Sequence, residues 1–279
     1  MKKHYHICCS DSGASNLIYH WYIANKKKYI FSFTLNGFAK KIFKKKNTKL
    51  NSKIDFIITG TGKIKHKYID AIKYGKKNNI KTISYLDHYV NYNSRFVYKK
   101  ISILPDEIWT FDNPSFLTAK KFYKTTKIYI KKNFYLDFLK KKYQIYLKKK
   151  LIIKKYLNIL FLSEPSLINK NSKKKISQNI FTFLNQYNRK IKLIFRFHPS
   201  EKNNDLFKNI STLIINKKNI TFGVDKNLSI AKSLYEADIV IGGETYAMVL
   251  ALKLKKKVYS YLPIKNYPFN LPFKKIEKI

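Results

Sequence analysis

The alternation of short apolar runs with longer amphipathic stretches is the sequence feature that most constrains the fold of this chain. Such alternation is typical of βαβ units, in which each strand of a parallel sheet is followed by a helix that covers it. In the first half it predicts strands at 5–9, 29–33, 56–59, 82–86, 107–111 and 127–130. The helices predicted between them cover 15–24, 37–43, 64–78 and 115–122, with Ser15 and Ser115 as N-cap residues.

A second series of such units follows a lysine-rich and aromatic stretch at 131–156, which we interpret as a connecting helix or linker. The series predicts strands at 158–162, 193–197, 239–241 and 258–261, and helices at 176–188, 229–236 and 246–254. With 279 residues, of which 45% are hydrophobic, the chain is long enough for two cores. The predicted fold class is therefore α/β, with two Rossmann-like domains facing across a cleft. The predicted domains are 1–145 and 146–262, and a proline-containing tail at 263–279 can return to the first domain.

The net charge of +42 would ordinarily indicate a nucleic acid or an anionic membrane as the partner. However, only three of the 58 basic residues are arginine, namely Arg95, Arg189 and Arg196. Sequence-specific readers of nucleic acid depend on arginine for bidentate contacts. The wealth of Lys, Ile, Asn, Tyr and Phe is also the usage of an AT-rich genome, so part of the charge reflects coding bias. Binding of nucleic acid or another polyanion is therefore kept only as an alternative function.

The N-terminal region and the cysteines indicate a cytoplasmic protein. Cys8 and Cys9 are adjacent, and neighbouring residues of a strand point to opposite faces, so a disulfide framework is not expected. The first residues are basic, but their short apolar run is interrupted and does not fit a signal peptide. Since no stretch approaches the roughly 20 apolar residues that span a bilayer, contact with the inner face of the cell membrane would be peripheral.

Two small-residue turns follow predicted strands of the first half. Residues 10–15 include Asp11, Ser12 and Gly13, and residues 59–62 include Thr61 and Gly62. Ligands of open α/β sheets bind beyond the carboxyl ends of the strands, where such turns let backbone amides approach an anionic or polyhydroxylated group. The alternative interpretation for both is a tight structural turn.

The richest polar cluster of the first half, at 86–96, follows the fourth predicted strand. Asp87 beside His88 suits a general base with an orienting partner. Tyr89, Asn91 and Arg95 are candidates for stacking on, or hydrogen bonding to, an acceptor molecule. The alternative is a loop in which Asp87 caps a turn and the aromatic residues close the core.

Two segments of the second half are candidates for binding a nucleotide. In the first, Arg196 and His198 end a strand before Pro199 and Ser200. Their side chains can stabilise the negative charge that develops on a phosphate leaving group. In the second, a buried strand runs into a turn and a helix whose first amides can bind phosphate. That turn contains Gly242, Gly243, Glu244, suited to ribose hydroxyls, and Thr245. A purely structural strand-to-helix turn is the alternative.

The order of these motifs resembles that of the GT-B glycosyltransferase superfamily, in particular bacterial surface-polysaccharide transferases of the polysialyltransferase-like and CDP-glycerol glycerophosphotransferase-like branches. The resemblance rests on DSGAS, TGTG, LDHYVNY and PDEIW in the first half, and on FLSEP, RFHPSE and ADIVIGGET in the second. It implies that His198 and Pro199 bind the nucleotide phosphate. The GG-E turn is similar to that of UDP-N-acetylglucosamine 2-epimerase-like members, which implies a phosphate role for Gly242 and Gly243. The acidic pair that supplies the base in polysialyltransferases is present only as Asp11 followed by Ser12.

We therefore hypothesise a metal-independent glycosyltransferase or related glycerophosphotransferase of cell-surface polysaccharide or lipopolysaccharide synthesis. Its donor would be a nucleotide-activated sugar or polyol, its acceptor a saccharide or lipid-linked molecule, and it would need no cofactor. Asp87 is the first candidate for the base, with His88 assisting and Asp11 second. No DxD sequence is available to hold a divalent ion. A nucleotide-sugar epimerase or hydrolase of the same fold is the alternative enzyme.

Overall fold

A computed structural model of the chain describes residues 1–51, 53–62, 65–148, 155–164, 170–198, 201, 205–227, 229–265 and 267–279. The chain divides into two compact units, Met1–Phe138 and Leu139–Ile279. Each unit contains a six-stranded sheet in which all paired strands are parallel. The predicted α/β class with two Rossmann-like domains is confirmed.

The first unit alternates strands and helices along the chain. Its elements are β1 (His4–Cys9), α1 (Ser12–Asn25), β2 (Ile30–Leu35), α2 (Gly37–Phe43), β3 (Phe56–Thr59), α3 (Lys65–Lys77), β4 (Lys81–Tyr85), β5 (Val97–Tyr98), β6 (Ile101–Ser102), β7 (Glu107–Thr110), α4 (Asn113–Phe122), β8 (Lys127–Ile130) and α5 (Phe134–Leu147), which contains the boundary of the two units. The strand order is β2-β1-β3-β4-β7-β8, and β5 and β6 form a separate antiparallel pair.

The second unit repeats the plan. Its further elements are β9 (Leu157–Leu162), α6 (Lys170–Asn185), β10 (Ile191–Arg196), α7 (Asp205–Ile214), β11 (Ile220–Val224), α8 (Ile230–Glu236), β12 (Ile239–Gly242), α9 (Tyr246–Lys253), β13 (Lys257–Ser260) and β14 (Glu277–Lys278). The strand order is β11-β10-β9-β12-β13-β14. This is the order of a dinucleotide-binding sheet, in which the C-terminal tail supplies the last strand, β14.

Strands β3, β9 and β12 lie inside their sheets and are buried on both faces, which is why their sequences are mostly apolar rather than alternating. In β3, Ile57 and Ile58 are neighbours that point to opposite faces, and both are fully buried. In the second unit Phe161, Phe195 and Tyr261 are fully buried, and the Phe161 ring lies 5.2 Å from that of Phe195. The apolar run is the signal that makes these strands predictable.

The predicted strands lie within two residues of the observed ones, but the predicted N-caps are wrong. Helix α1 begins after Asp11, whose side chain accepts a hydrogen bond from the amide of Ala14. Helix α4 begins after Asp112, which forms a reciprocal capping box with Ser115. In both cases an aspartate lies three or four residues before the predicted serine, and the carboxylate takes the orphan amides.

Five elements are absent from the prediction, namely the short hairpin strands β5 and β6, and α7, β11 and β14. The edge strand β11 has only Ile220 buried, so it lacks the apolar run that marks the central strands. The sequence allows the tail to return to the first domain, but β14 pairs with β13 and Ile276 is fully buried in the second unit. Among the helices of the described residues, none is long and apolar enough to cross a membrane.

The contact between α3 and the sheet provides a test of the first unit's packing. A Cβ atom on Gly75 would lie 2.9 Å from the carbonyl oxygen of Ile80 and would collide with the Thr82 side chain. We therefore expect Gly75→Ala to lower the free energy of unfolding by about 2 kcal/mol through overpacking. Urea denaturation of the full chain, followed by circular dichroism, measures this.

Gly223 in β11 is the matched control, because a Cβ there would meet no atom within 4 Å. We expect Gly223→Ala to change the unfolding free energy by no more than about 0.5 kcal/mol. Equal stability of the two variants would show that α3 is less tightly packed than the structure indicates.

Candidate functional site

Each sheet has one point at which the chain reverses its direction of travel across the sheet, and ligands of open α/β sheets bind there. In the first unit this switch point lies between β1 and β3, which are followed by Asp11 and by the Thr61–Gly62 turn. In the second unit it lies between β9 and β12, which are followed by Glu164 and Gly243. Connections from neighbouring strands diverge to opposite faces at these points, so a crevice is left between them.

The carboxylate of Asp11 is held by the protein on both of its oxygens. Oδ1 accepts a hydrogen bond from the amide of Ala14 at 3.0 Å, and Oδ2 accepts one from the phenol of Tyr68 at 2.5 Å. The Tyr68 oxygen in turn accepts a hydrogen bond from the amide of Ser10 at 3.1 Å. Asp11 is therefore both the N-cap of α1 and the end of a polar chain that starts in α3.

Asp87 is paired with arginine. Nη1 of Arg95 lies 2.6 Å from Oδ1 of Asp87 and 2.7 Å from Oγ1 of Thr61. Only 9% of the Arg95 side chain and 13% of the Asp87 side chain are exposed, so the pair is largely removed from water. Nε of Arg95 donates to the carbonyl oxygen of Val90 at 3.1 Å, which fixes the guanidinium plane.

The glycines of the two turns make room for these carboxylates. A Cβ atom on Gly13 would collide with the Asp87 carboxylate, and a Cβ on Gly62 would collide with that of Asp11. Each glycine of one turn thus accommodates the carboxylate that follows another strand. The structure brings together Asp11, Gly13, Thr61, Gly62, Asp87 and Arg95, which we call the Asp11–Asp87 cluster.

The two carboxylates of the cluster have opposite pKa shifts. Burial, together with the nearby negative charge of Asp87, raises the pKa of Asp11 to about 6. Burial alone would also raise the pKa of Asp87, but the charges of Arg95 and His88 outweigh it and the pKa is lowered. Such a divided pair, one carboxylate firmly ionised and the other ready to exchange a proton near neutral pH, is typical of acid–base sites.

Three other predicted residues of the first unit have varied surroundings. Ser12 is the first residue of α1, and its carbonyl oxygen accepts from Asn16. Tyr89 is 3% exposed, and its phenol donates to Oδ2 of Asp112 at 2.6 Å, a contact that supports the cap of α4. Asn91 is exposed and has a φ of 63°.

In the second unit, the turn after β12 already holds a carboxyl group of the protein. Oε1 of Glu164 accepts a hydrogen bond from the amide of Glu244 at 2.7 Å, and the amide of Thr245 also donates to this carboxylate. A Cβ atom on Gly243 would lie 2.6 Å from Oε2 of Glu164 and 2.8 Å from the hydroxyl of Tyr261. The amides expected to bind phosphate at the start of α9 are therefore occupied by a side chain of this protein.

Two more carboxylates lie near the Glu164 carboxylate. Glu201 accepts from Oγ of Ser163 at 2.7 Å and from the amide of His198 at 3.3 Å. Glu244 accepts from the amide of Asn270. Burial raises the pKa of Glu164 to about 7 and also raises the pKa values of Glu201 and Glu244. We call Glu164, Glu201 and Glu244 the acidic cluster.

Tyr261 adjoins the acidic cluster, and within the described part of the chain its hydroxyl has no hydrogen-bond partner although it is fully buried. Burial raises the pKa of Tyr261, and the three glutamates add to the shift. Among the residues that the structure describes, no three His, Cys, Asp or Glu side chains are arranged to hold a metal ion. Sequence reasoning missed Glu164, Glu201 and Tyr261 as site residues. The position of Glu164 directly after β9, at the switch point, is the signal that could have found it.

The structure places Arg196 in an ion pair. Its Nη1 lies 2.6 Å from Oδ2 of Asp225, 2.9 Å from the carbonyl oxygen of Asn227 and 3.0 Å from Oγ of Ser233. The guanidinium is therefore directed toward the start of α8. Strand β10 ends at Arg196, and His198 lies in the loop beyond it.

The remaining predicted donor residues lie at or beyond the ends of β10 and β12. Pro199 and Ser200 fall outside the described residues. Thr245 is the N-cap of α9, and its Oγ1 accepts from the amide of Ala247 at 3.1 Å. A Cβ on Gly242 would lie 2.8 Å from the sulfur of Met248.

Comparisons with known proteins establish the fold. No protein-family model matches the chain, and no curated protein sequence matches it significantly. Solved structures do match. The UDP-GlcNAc 2-epimerase of Methanocaldococcus jannaschii is 13% identical at a TM-score of 0.66, over 99% of this chain and 88% of that one. The chain has the GT-B fold.

Two further matches carry other descriptions. Anabaena HepE, solved in complex with UDP and glucose, is 10% identical at a TM-score of 0.57, over 91% of this chain and 80% of that one. A glycosyltransferase of Rickettsia africae is 14% identical at a TM-score of 0.56, over 93% of this chain and 79% of that one. At such identities the likeness concerns the fold alone, and the role of each site residue must be argued from its surroundings.

The opposite pKa shifts of Asp11 and Asp87 lead to a prediction on stability. The folded-state pKa of Asp11 lies above its ordinary value of 3.8, so the stability linked to its proton is present below about pH 4 and is lost as the pH rises to about 6. We expect Asp11→Asn to raise the unfolding free energy at pH 7 by about 2 kcal/mol relative to the native chain, because a neutral amide avoids burying the charge. Urea midpoints at pH 4 and pH 7 measure the difference.

Asp87→Asn is the matched comparison, and the opposite result is expected. It leaves Arg95 buried without its carboxylate, and we expect a loss of about 3 kcal/mol at pH 7. If Asp11→Asn were the more destabilising of the two at pH 7, the assignment of the ionised partner would have to be exchanged.

Proposed function

We propose that this protein is an enzyme acting on a nucleotide-activated sugar or polyol, and that the Asp11–Asp87 cluster performs its proton transfer. The observation that carries the proposal is the divided carboxylate pair at the switch point of the first unit. A buried acid with a pKa near 6 costs stability, and such an arrangement is common where a proton must be exchanged. The GT-B fold adds support, since proteins of this fold have been solved with UDP and with UDP-GlcNAc.

Asp11, rather than Asp87, is the better candidate for the base. Both carboxylates accept hydrogen bonds, but Asp87 is paired with Arg95, and its lowered pKa makes it a poor proton acceptor. Asp11 has the raised pKa, and its residue is partly exposed. In this proposal Asp11 removes the proton of an acceptor hydroxyl, and the fixed negative charge of Asp87 keeps Asp11 basic.

The second unit would hold the donor at the turn after β12. A phosphate would take the amides of Glu244 and Thr245 from the Glu164 carboxylate, since both are anions at the N-terminal end of a helix. Glu244 and Glu201 would then accept hydrogen bonds from ribose or sugar hydroxyls. Arg196 and His198 remain candidates for the leaving phosphate, and Arg196 would have to share its guanidinium with Asp225.

A nucleotide-sugar epimerase is the second candidate. It is favoured by the descriptions of several proteins of this fold as UDP-GlcNAc 2-epimerases. Epimerisation also requires a base of suitable pKa, so the Asp11–Asp87 cluster serves either reaction. Incubation with UDP-, CDP-, GDP- and CMP-linked sugars, with and without saccharide acceptors, separates the two. Turnover that depends on the acceptor supports transfer, and isomerisation in its absence supports the epimerase.

The pH dependence of turnover tests the base. We expect kcat/KM to rise with pH and to reach half of its maximum near pH 6, because Asp11 acts when deprotonated. Asp11→Asn should lower kcat by about 10²- to 10⁴-fold. Asp87→Asn should retain measurable turnover and shift the profile toward acidic pH, since the charge that raises the Asp11 pKa is removed.

The opposite pattern, loss of turnover in Asp87→Asn and retention in Asp11→Asn, would return the role of base to Asp87. Folding of each variant is checked by circular dichroism, so that a lost activity is not confused with a lost structure.

The proposed exchange of Glu164 for phosphate makes nucleotide binding depend on pH. We expect the Kd for UDP to rise about fivefold between pH 7 and pH 8, because ionised Glu164 competes for the amides and protonated Glu164 does not. Glu164→Gln should bind UDP more tightly at pH 8 and lose this dependence. Isothermal titration calorimetry in both variants gives the comparison.

Glu236→Gln, an exposed carboxylate at the end of α8, is the control and should behave as the native chain. If UDP binds equally in the native chain and in Glu164→Gln at both pH values, phosphate does not use the α9 amides.

A further inference from the structure

A groove in the first unit lies away from the residues assigned above. Its volume is about 400 Å³, and it is formed by the C-terminal part of α1, the edge strand β2 and the segment after α2. None of its lining residues belongs to the Asp11–Asp87 cluster. Its occupant is therefore a question separate from the reaction.

Aromatic side chains form the floor of the groove. Tyr22 and Phe33 are 8% and 6% exposed, and their rings meet edge-to-face at 5.5 Å. Phe31 stands against Tyr22 at 5.0 Å with an interplanar angle of 84°. Phe31 and Tyr29 are only half-buried, so apolar surface remains open to a ligand.

The rim of the groove is cationic and is held in place by the backbone. Lys26, Lys45 and Lys46 line it. Just after the two later lysines, the amide of Thr48 donates to the carbonyl oxygen of Phe33 at 2.7 Å, and Oγ1 of Thr48 accepts from the Phe33 amide at 3.1 Å. This pairing ties the segment to the open edge of β2.

The positive charge here is not balanced locally. Among the described residues, no carboxylate forms an ion pair with Lys26, Lys45 or Lys46. The sequence contains no acidic residue between Asp11 and Asp55, although lysine recurs throughout that stretch. A run of lysine from coding bias would be scattered over the surface, whereas here it surrounds an aromatic floor with no acid among the lining residues.

We propose that this groove binds an anionic phospholipid at a membrane surface. The lysine ammonium groups would contact the headgroup phosphate, and the aromatic floor would contact the glycerol and the first methylene groups of the acyl chains. Lysine suits this surface because its long apolar stem lies along the bilayer interface while its charge faces the phosphates. Ile23 and Ile30, neighbours of lining residues in the chain, are 39% and 50% exposed and add apolar surface.

The occupant is a lipid rather than a nucleic acid because the groove has no arginine and offers apolar depth beneath its charges. A free phosphate would use the charges but not the aromatic floor. These two alternatives are outcomes of the test.

Sedimentation with vesicles measures the binding. The full chain is mixed with vesicles of phosphatidylcholine alone or with about 30% phosphatidylglycerol, whose negative surface potential attracts lysine. We expect binding only to the anionic vesicles. The double variant Lys45→Gln/Lys46→Gln should partition about 30-fold more weakly, since each lysine near an anionic surface contributes about fivefold.

Lys76→Gln/Lys77→Gln is the matched control, because it removes the same charge from an adjacent and exposed pair at the end of α3. We expect its partitioning to change by less than about threefold. Equal losses in the two double variants, or no loss in either, would overturn the proposal and leave a diffuse charge effect. Both variants exchange exposed lysines for glutamine, so folding should be retained, and circular dichroism verifies it.

Two competitors distinguish the other occupants. Inorganic phosphate added at constant ionic strength should not displace the native chain from the anionic vesicles. A short DNA duplex should bind the native chain and Lys45→Gln/Lys46→Gln with similar affinity. Displacement by phosphate would assign the groove to a small anion, and selective loss of DNA binding in the groove variant would assign it to nucleic acid. Either result overturns the lipid proposal, and neither bears on the base or the nucleotide site.

Discussion

The structure depends on the divergence of connections at the switch point of a parallel sheet. Neighbouring connections leave toward opposite faces there, and the ends of the strands are not covered by the chain itself. Backbone amides at these ends must find partners, since a buried amide without one is costly. In both units the partner is a carboxylate. Asp11 accepts from an amide in the first turn of α1, and Glu164, which follows β9, accepts from the amide of Glu244 just before α9.

Some of the few acidic residues of this very basic chain lie around these two places. Asp11, Asp87, Glu164, Glu201 and Glu244 are five of only 16 acids, and they gather at the two switch points. Coding bias toward lysine accounts for part of the net charge but not for this placement of the acids. Burying a carboxylate is costly because its charge loses its hydration, and two arrangements offset that cost here. Arg95 stabilises the ionised form of Asp87, while Asp11 and Glu164 have raised pKa values.

The two units therefore offer complementary chemistry. The first unit presents a carboxylate that can exchange a proton beside one that stays charged. The second presents hydrogen-bond acceptors around a turn whose amides favour an anion. The lysine-rimmed groove adds a third surface, which involves neither set of residues.

The site residues themselves could be predicted only in part from the sequence. Asp11, Gly13, Gly62, Asp87 and Arg95 follow strands in small-residue or polar segments, and that position alone marked them. Their roles could not be derived in the same way. Whether Asp87 or Asp11 is the stronger base depends on which of them Arg95 reaches, and whether the α9 amides are open to phosphate depends on Glu164, which lies 80 residues earlier in the chain.

The sequence by itself determined the fold class and the central strands, because a strand buried on both faces is mostly apolar, as Phe56, Ile57 and Ile58 of β3 are. It also determined where polar turns interrupt that pattern. Only the tertiary structure decided the edge strands β11 and β14, the capping aspartates and the partner of each charged side chain. The physical reason is distance along the chain. Local periodicity is set by neighbouring residues, whereas ion pairs and hydrogen bonds often join residues that are distant in the chain. The hydrogen bond from Tyr68 to Asp11, for example, forms only because the folded sheet brings together residues that are 57 positions apart.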